Sequence, residues 1–345
     1  MTSSRIWYTS VSIIALSAIL AIVFYFFLLL KNPKKISDIH GSAEFANPEE
    51  VEATGLLNTD SNNAIYVGAW QPSKKSLIQY LRYVGESNVG VFAPPRSGKG
   101  ACIIIPTLLS FSGNLAALDL RLENYYRTAG YRKSIGHIII KLDFTCTDDS
   151  AACLNPLLEV RKGINEIRDV QNIVDIIADP DGKGRSDHWT DTANDLLVSV
   201  ILHVLYVESD KSLTGIRNFM SNINLTEEQL FQYMLTTIHD PDGICGWVDP
   251  QTQKPTRTHP IVAAGAKDML NRSEAERTGI ISTLKRFLKL YRDPIIAKNT
   301  RTSDFKWSDL LDPTKRISIY INMPPPDKSR LRPLIRLIIN QMLGR

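Results

Sequence analysis

Apolar runs that alternate with helical segments are the feature that most restricts how this chain can fold. Three such runs are VGVFA (89–93), NLAALDL (114–120) and HIIIKLDF (137–144). Each is continuous enough to be a strand buried on both faces. Helices are predicted between them, at about 98–110 and at 123–133. Strands joined by helical crossovers form a parallel sheet covered on both sides, so we predict an α/β fold.

The middle of the chain has a helical pattern instead. Apolar residues repeat at helical spacing in 189–205 and again in 280–291, and Asp187 is placed to cap the first of these helices. A polar loop at 239–260 separates the two stretches. An all-helical insertion over 161–292 is the simplest interpretation.

Strand character returns late in the chain. The run RISIYINM (316–323) is followed by three prolines and then by a last amphipathic helix at about 327–343. We therefore predict one sheet domain built from 86–160 and 293–345. The preceding segment, 31–85, is interpreted as a juxtamembrane region with a short helix that Asn47 caps and with strands at the edge of the main domain.

The first thirty residues have a different composition from the rest. Residues 6–30 contain no charged side chain, and about 20 apolar residues suffice for a helix to cross a bilayer. A cleaved signal peptide is the alternative, but its apolar core would be about 7–15 residues and a small-residue cleavage site would follow. Here KNPKK follows. Lys31, Lys34 and Lys35 outnumber Arg5 on the other side, which predicts a single-pass anchor with the bulk of the chain in the cytoplasm.

The glycine-rich turn after the first apolar run is similar to a phosphate-binding loop. The usual pattern is GxxxxGK[ST] between a strand and a helix, and its backbone N–H groups surround the phosphates. In APPRSGKG, Ala93 stands in place of the first glycine and Gly100 in place of the hydroxyl residue. Ser97 or water would then complete a Mg²⁺ shell, and a solvated glycine turn is the alternative. The predicted nucleotide-binding residues are Pro95, Arg96, Ser97, Gly98, Lys99, Gly100 and Ala101.

Catalysis in such a site also needs a carboxylate at the end of a neighbouring strand, commonly with an adjacent glutamate. The candidates at the end of an apolar strand are Asp119 (LAALD), Asp143 (IIIKLD) and Asp179 (DIIAD), but none is followed by Glu. For an aspartate in the position of Asp119, a structural or helix-capping role is at least as common as metal binding. We therefore assign no catalytic residue and no metal-ligating residue from the sequence.

Several stretches in order along the chain resemble one family. They are HGSAEFANPEEVEATGLL (40–57), APPRSGKGACIIIPTLLSFSGNLAALDLRLENYYRTAGYRK (93–133), LNPL (154–157), DHWTDTANDLLVSVILHVLY (187–206), DPIIAKNTRTSDF (293–305) and ISIYINMPPPDKSRLRPLIRLIINQ (317–341). The chain resembles the coupling-protein ATPases of type IV secretion systems, the TraG/TraD-like conjugative DNA-transfer family. In that family, GK followed by glycine is an accepted variant of the loop.

The resemblance implies a RecA-like P-loop domain that binds ATP and Mg²⁺ and carries an all-helical insertion. It also implies a homo-hexamer at the bacterial inner membrane. This ring would deliver single-stranded DNA with its relaxase, or effector proteins, to inner-membrane proteins of a secretion channel. The family's Asp-Glu (Walker B) strand would follow the last helix, where this sequence ends at MLGR, so poor or absent hydrolysis is expected. A membrane-anchored, non-catalytic adaptor that docks substrates is the alternative function.

Two basic segments have weaker signals. Residues 267–301 contain nine Lys or Arg against four Asp or Glu, so they either present a basic face to phosphates or form a solvated helix surface. Arg330, Arg332 and Arg336 lie in or near the last helix. One of them is a candidate arginine finger for a neighbouring subunit, with surface charge or packing as the alternative.

Overall fold

The computed structural model describes residues 7, 15–27, 45–57, 62–184 and 187–344. The chain divides into two units, 1–55 and 56–345. In the first unit, helix α1 spans Pro48–Ala53. Asn47 caps it as predicted, because its side chain accepts from the Glu50 amide while the Glu50 side chain accepts from the Asn47 amide.

Part of the predicted membrane anchor can be compared with the structure. Residues 15–27 are helical, whereas 6, 8–14 and 28–30 lie outside the described residues. Within the described residues, none of the helices has the length and apolar character that a membrane crossing requires.

The second unit contains two separate sheets. Strands β1 (Ile65–Trp70) and β2 (Gln79–Tyr83) pair antiparallel as a two-stranded sheet of their own, not at the edge of the larger one. The larger sheet contains β3 (Leu115–Leu118), β4 (Ile138–Leu142) and β5 (Ile317–Ile321) in the order β3-β5-β4. Both of its ladders are parallel, and every residue of the central strand is buried.

Helices cover this parallel sheet as the crossovers predicted. A π-helical turn (Gly100–Ile104) continues directly into α2 (Ile105–Ser110), and α3 (Glu123–Ser134) connects β3 to β4. A 3₁₀ turn at Pro156–Glu159 follows β4 and precedes the helices of the middle of the chain.

The predicted strand at 89–93 is wrong. These residues belong to no β ladder, and Val89, Val91 and Phe92 are 39%, 40% and 98% exposed. A strand needs a neighbour to satisfy its backbone hydrogen bonds, and no strand of the described part of the chain lies beside this run. Apolar composition alone therefore does not make it a strand.

The middle of the chain is helical as predicted. The helices are α4 (Glu166–Ala178), α5 (His188–Val207), α6 (Leu213–Phe219), α7 (Glu227–Thr236), α8 (Pro260–Asn271) and α9 (Glu274–Phe287). Asp187 caps α5, because its carboxylate accepts from the Thr190 amide at 2.7 Å. The loop 239–260 contains one isolated bridge between Val248 and Pro255.

The chain returns to the sheet through short turns. A 3₁₀ turn (Lys289–Arg292), α10 (Pro294–Asn299) and a second 3₁₀ turn (Trp307–Leu311) precede β5. After β5, a 3₁₀ turn (Pro325–Asp327) leads into α11 (Lys328–Leu343). One buried apolar cluster includes side chains of the sheet, the middle helices and α11, so these parts share a core.

Candidate nucleotide-binding site

The predicted loop is a turn followed at once by a helix. Residues 95–98 form the turn, and helical geometry continues from Gly100 to Ser110. Gly98 has φ +86°, a left-handed conformation that glycine adopts without steric cost. Arg96 also has a positive φ, 62°, which costs a non-glycine residue about 1 kcal/mol. Backbone strain of this kind collects at ligand sites, so the loop geometry supports a functional interpretation.

The helix start leaves consecutive amides without partners. Among the described residues, the N–H groups of Gly98, Lys99, Gly100 and Ala101 have no hydrogen-bond acceptor. The first N–H groups of a helix have no partner inside the helix, and they carry the positive end of its dipole. These residues are exposed or half-buried. The arrangement is therefore accessible and suited to an anion.

Lys99 is placed within the same loop. Its Nζ atom donates to the carbonyl oxygens of Ala93 at 2.6 Å and Pro94 at 2.7 Å. An ammonium group has three donors, so one remains after these two bonds. The lysine thus closes the loop on itself, and a phosphate oxygen could replace either carbonyl as its acceptor.

The loop fits a triphosphate better than it fits a metal. A side chain added at Gly100 would meet no atom within 4 Å, so the space beside the helix start is open. Within the described residues, the Ser97 hydroxyl makes no hydrogen bond. It is the side-chain hydroxyl nearest to Lys99 in sequence and is therefore the candidate ligand for Mg²⁺. No group of three or more His, Cys, Asp or Glu side chains that could hold a metal occurs in the described part of the chain.

The three candidate carboxylates have structural roles. Asp119 Oδ2 accepts from the Tyr125 amide at 2.9 Å and so caps α3. Asp143 Oδ1 accepts from the Thr145 amide and hydroxyl, and its Oδ2 accepts from Asn322 Nδ2 at 2.8 Å.

Asp179 ends helix α4, not a strand, which corrects the interpretation of DIIAD as a strand. Hydrogen bonds from the Gly184 and Lys183 amides lower the pKa of its carboxyl group. Hydrogen bonds within the chain therefore orient all three side chains.

One residue that matters to this site was missed by the sequence analysis. The fully buried Arg132 side chain donates from Nη1 to the Leu108 and Phe111 carbonyls at 2.6 and 2.7 Å. It also donates from Nη2 to the Gly113 carbonyl and from Nε to Ser318 Oγ on β5. Arg132 therefore ties the end of the loop helix to the central strand.

A weak signal for Arg132 was present. It follows Thr128 by four residues, which places both on one helix face, and both are buried. Burial lowers the pKa of Arg132, yet a guanidinium stays charged because its ordinary value is above 12. A buried arginine is uncommon, so its position on the buried face was not expected.

The three arginines of α11 have partners within the chain. Arg330 pairs with Asp293 and Asp327, Arg332 pairs with Asp181, and Arg336 donates to the Asp179 carbonyl. A contact with a neighbouring subunit would have to replace these bonds. The arginine-finger hypothesis stays a prediction.

Sequence comparisons with known proteins identify the family to which this chain belongs. A family model described as type IV secretory system conjugative DNA transfer matches residues 34–344. The conjugal transfer protein TraG of Escherichia coli is 36% identical in an alignment of 331 positions that covers 90% of this chain and 50% of TraG. Protein VirD4 of Rhizobium radiobacter is 25% identical in an alignment of 358 positions that covers 99% of this chain and 46% of VirD4.

Solved structures with some similarity come from the bacterial conjugative coupling protein TrwB. TrwBdeltaN70 is 13% identical with a TM-score of 0.47, and the match covers 72% of this chain and 49% of that one. TrwB in complex with ADP and Mg²⁺ has a TM-score of 0.34 at 13% identity, over 66% of this chain and 50% of that one.

The sequence matches cover most of this chain but a smaller share of its relatives. This chain spans about half the length of the curated relatives that it matches. The family model covers nearly all of this chain, from residue 34 to residue 344. The chain belongs to the type IV secretory system conjugative DNA transfer family.

Proposed function

We propose that this chain is the nucleotide-binding portion of a type IV secretion coupling protein. It binds ATP through residues 95–101 and couples nucleotide binding to delivery of DNA or protein substrates to the secretion channel. Family membership supports the role in substrate delivery, and the geometry of the loop supports ATP as the ligand. The single observation that carries the proposal is the run of unpaired amides at 98–101 beside the Lys99 ammonium.

The binding chemistry follows from these groups. The amides of 98–101 donate to phosphate oxygens at the positive end of the helix. The Lys99 ammonium exchanges its bond to Ala93 or Pro94 for a phosphate oxygen, which is charged and therefore the stronger acceptor. Mg²⁺, when bound, neutralises charge on the phosphates, and Ser97 is its candidate hydroxyl partner. We assign no hydrolytic residue, because Asp119, Asp143 and Asp179 already make local hydrogen bonds.

The rest of the assembly belongs to the same proposal. The apolar run 6–30 would anchor the chain in the bacterial inner membrane, with the bulk in the cytoplasm. A RecA-like domain (86–160 and 293–345) and a helical insertion (161–292) would form one subunit of a homo-hexamer. Its partners would be channel proteins and single-stranded DNA with its relaxase, or effector proteins.

A second function is favoured by one contact. Because Lys99 is already satisfied by two carbonyls of its own loop, the loop is stable without a ligand. The chain would then act as a non-catalytic, membrane-anchored adaptor that docks substrates through its helical insertion.

Substitution of Lys99 separates the two functions. Lys99→Ala removes the ammonium donor of the loop, and a hydrogen bond to a charged group is worth about 1.5–3 kcal/mol. We therefore expect a non-hydrolysable ATP analogue to bind roughly 10- to 100-fold more weakly, as measured by calorimetry.

The matched control is Lys133→Ala, which removes an exposed lysine at the end of α3. It should bind the analogue like the unaltered chain. Equal affinity of the Lys99→Ala and unaltered chains, or no binding by either, would refute the nucleotide site and favour the adaptor.

A further inference from the structure

The structure separates the basic residues of 267–301 into two groups. Four have carboxylate partners: Arg272 with Asp268 and Glu276, Arg277 with Glu227 and Glu228, Lys298 with Asp149, and Arg301 with Asp210. Within the described residues, the others make no ion pair. Four of these unpaired cations lie close together in the sequence, at Lys285, Arg286, Lys289 and Arg292. The basic signal of this segment is therefore local to 285–292.

Two of these cations line a groove, which we call the basic groove. It lies between the ends of α4 and α9, the 3₁₀ turn Lys289–Arg292 and the start of α11, and its volume is about 770 Å³. Arg286 and Lys289 are among its lining residues, whereas Lys285 and Arg292 are not. Phe287 and Leu290 supply apolar surface between the two cations.

The remaining charges of the groove largely cancel. Arg330 also lines the groove, but it pairs with Asp293, another lining residue, and with Asp327. Hydrogen bonds from Thr190 lower the pKa of the Asp187 carboxyl group, and the charge of Arg286 makes a smaller contribution without forming an ion pair with Asp187. Arg286 and Lys289 thus leave the groove with uncompensated positive charge.

Helix stability alone does not account for this charge. Arg286 is in the last turn of α9, where a cation is favoured by the helix dipole by about 0.3–1 kcal/mol. Lys289 lies beyond that helix, and neither side chain donates a hydrogen bond to a carbonyl within the described residues. Two unpaired cations that flank apolar surface match a ligand with a repeated negative charge and exposed apolar faces.

We propose that the basic groove binds the phosphates of single-stranded DNA through Arg286 and Lys289. A single strand exposes its base faces, and these can pack on apolar surface such as Phe287 while cations follow the backbone. A duplex hides its bases and would leave that surface unused. The inference rests on the proposed function only for the identity of the polyanion, because the matching family is one of conjugative DNA transfer.

Salt dependence of binding is the test. Each phosphate neutralised on a single strand contributes a slope of about 0.7 to the fall of log affinity with log salt. Arg286→Gln/Lys289→Gln keeps the apolar stems and removes both charges. In the full chain without nucleotide, its binding to a labelled oligo-dT should have a slope smaller by roughly 1.4 across a KCl series.

The matched control removes equal charge from the same segment outside the groove. Lys285→Gln/Arg292→Gln should keep the original slope. Equal slope changes in the two double variants would overturn the proposal, as would a larger change for a duplex of the same length than for the single strand. Calorimetry with the ATP analogue should be unaffected by the groove variant, so failure of the nucleotide site and failure of the groove give different results.

Discussion

Two glycines of the nucleotide loop have different physical requirements. Gly98 needs its small size because of its positive φ, and an added Cβ would lie 3.4 Å from Cys102 Sγ. Gly100 has no positive φ, and an added Cβ would meet nothing within 4 Å. Gly100 is therefore free to be replaced, although its position is the one that carries the Mg²⁺-binding hydroxyl in the usual loop pattern.

Gly100→Ser should add a metal contact. We expect the ATP analogue to bind roughly 2- to 10-fold more tightly in Mg²⁺, the range given by one added contact of about 0.5–1.5 kcal/mol. Binding in EDTA should not change. Titration of the analogue with and without Mg²⁺ measures both.

Gly100→Ala is the control for the hydroxyl, and it should resemble the unaltered chain in both conditions. If serine gave no gain in Mg²⁺, position 100 would not face the metal.

At the level of single residues, the sequence predicted the loop but not what holds it. The spacing of Gly98 and Lys99 indicated a phosphate site, because each has a backbone or charge role that depends on local sequence. The bonds from Arg132 to Ser318 and from Asn322 to Asp143 join residues that are distant in sequence. Local pattern carries no information on those contacts.

Arg132 joins two elements, the loop helix α2 and the central strand β5. Its guanidinium is the partner of three carbonyls at and after the end of α2 and of Ser318 on β5. Buried carbonyls that lose a partner each cost about 1–3 kcal/mol.

Arg132→Met should therefore lower the free energy of unfolding by about 3 kcal/mol or more, measured by urea denaturation. It should also weaken binding of the ATP analogue, because the helix that presents the amides loses its anchor.

Arg127→Met on the same helix is the control, since Arg127 is exposed. Its effect should stay within about 0.5 kcal/mol. Equal stability of the two variants would show that Arg132 does not hold the helix in place.

At the level of elements, the prediction succeeded where burial pattern was continuous. The runs at 114–120, 137–144 and 316–323 contain β3, β4 and β5, and the helical spacing after Asp187 corresponds to α5. The run 89–93 has the same apolar character but no neighbouring strand, and DIIAD belongs to a helix. Short apolar runs do not distinguish strand from buried helix, and pairing is decided by residues distant in sequence.

A buried pair of histidines makes the stability of the whole molecule sensitive to acid. His203 Nδ1 and His239 Nε2 lie 2.9 Å apart, and both side chains are almost fully buried. Burial, with a smaller effect of the His239 charge, lowers the pKa of His203 to about 3, and burial, with a smaller effect of the His259 charge, lowers the pKa of His239 to about 4. In an unfolded chain, histidine titrates near about 6.5.

The unfolded chain therefore binds more protons between these values, so stability falls as the pH falls from about 6.5 towards 4. Each group is expected to contribute a loss of up to about 2 kcal/mol between pH 6.5 and pH 5. Urea denaturation at a series of pH values measures this loss.

His203→Gln removes one titrating group while it keeps a polar side chain. Its stability should depend less steeply on pH below 6.5 than that of the unaltered chain. An unchanged dependence would mean that His203 is protonated in the folded state.

The guanidinium of Arg132 has a mechanical consequence for the molecule as a whole. Because its hydrogen bonds join the end of the loop helix to Ser318, a shift of that helix would strain or break its bond to the middle strand of the sheet. The same strand runs on through Pro324 to Arg330, which forms a wall of the basic groove. The helix of the proposed phosphate site is therefore connected to the surface proposed to hold the DNA strand through β5 and the 3₁₀ turn Pro325–Asp327.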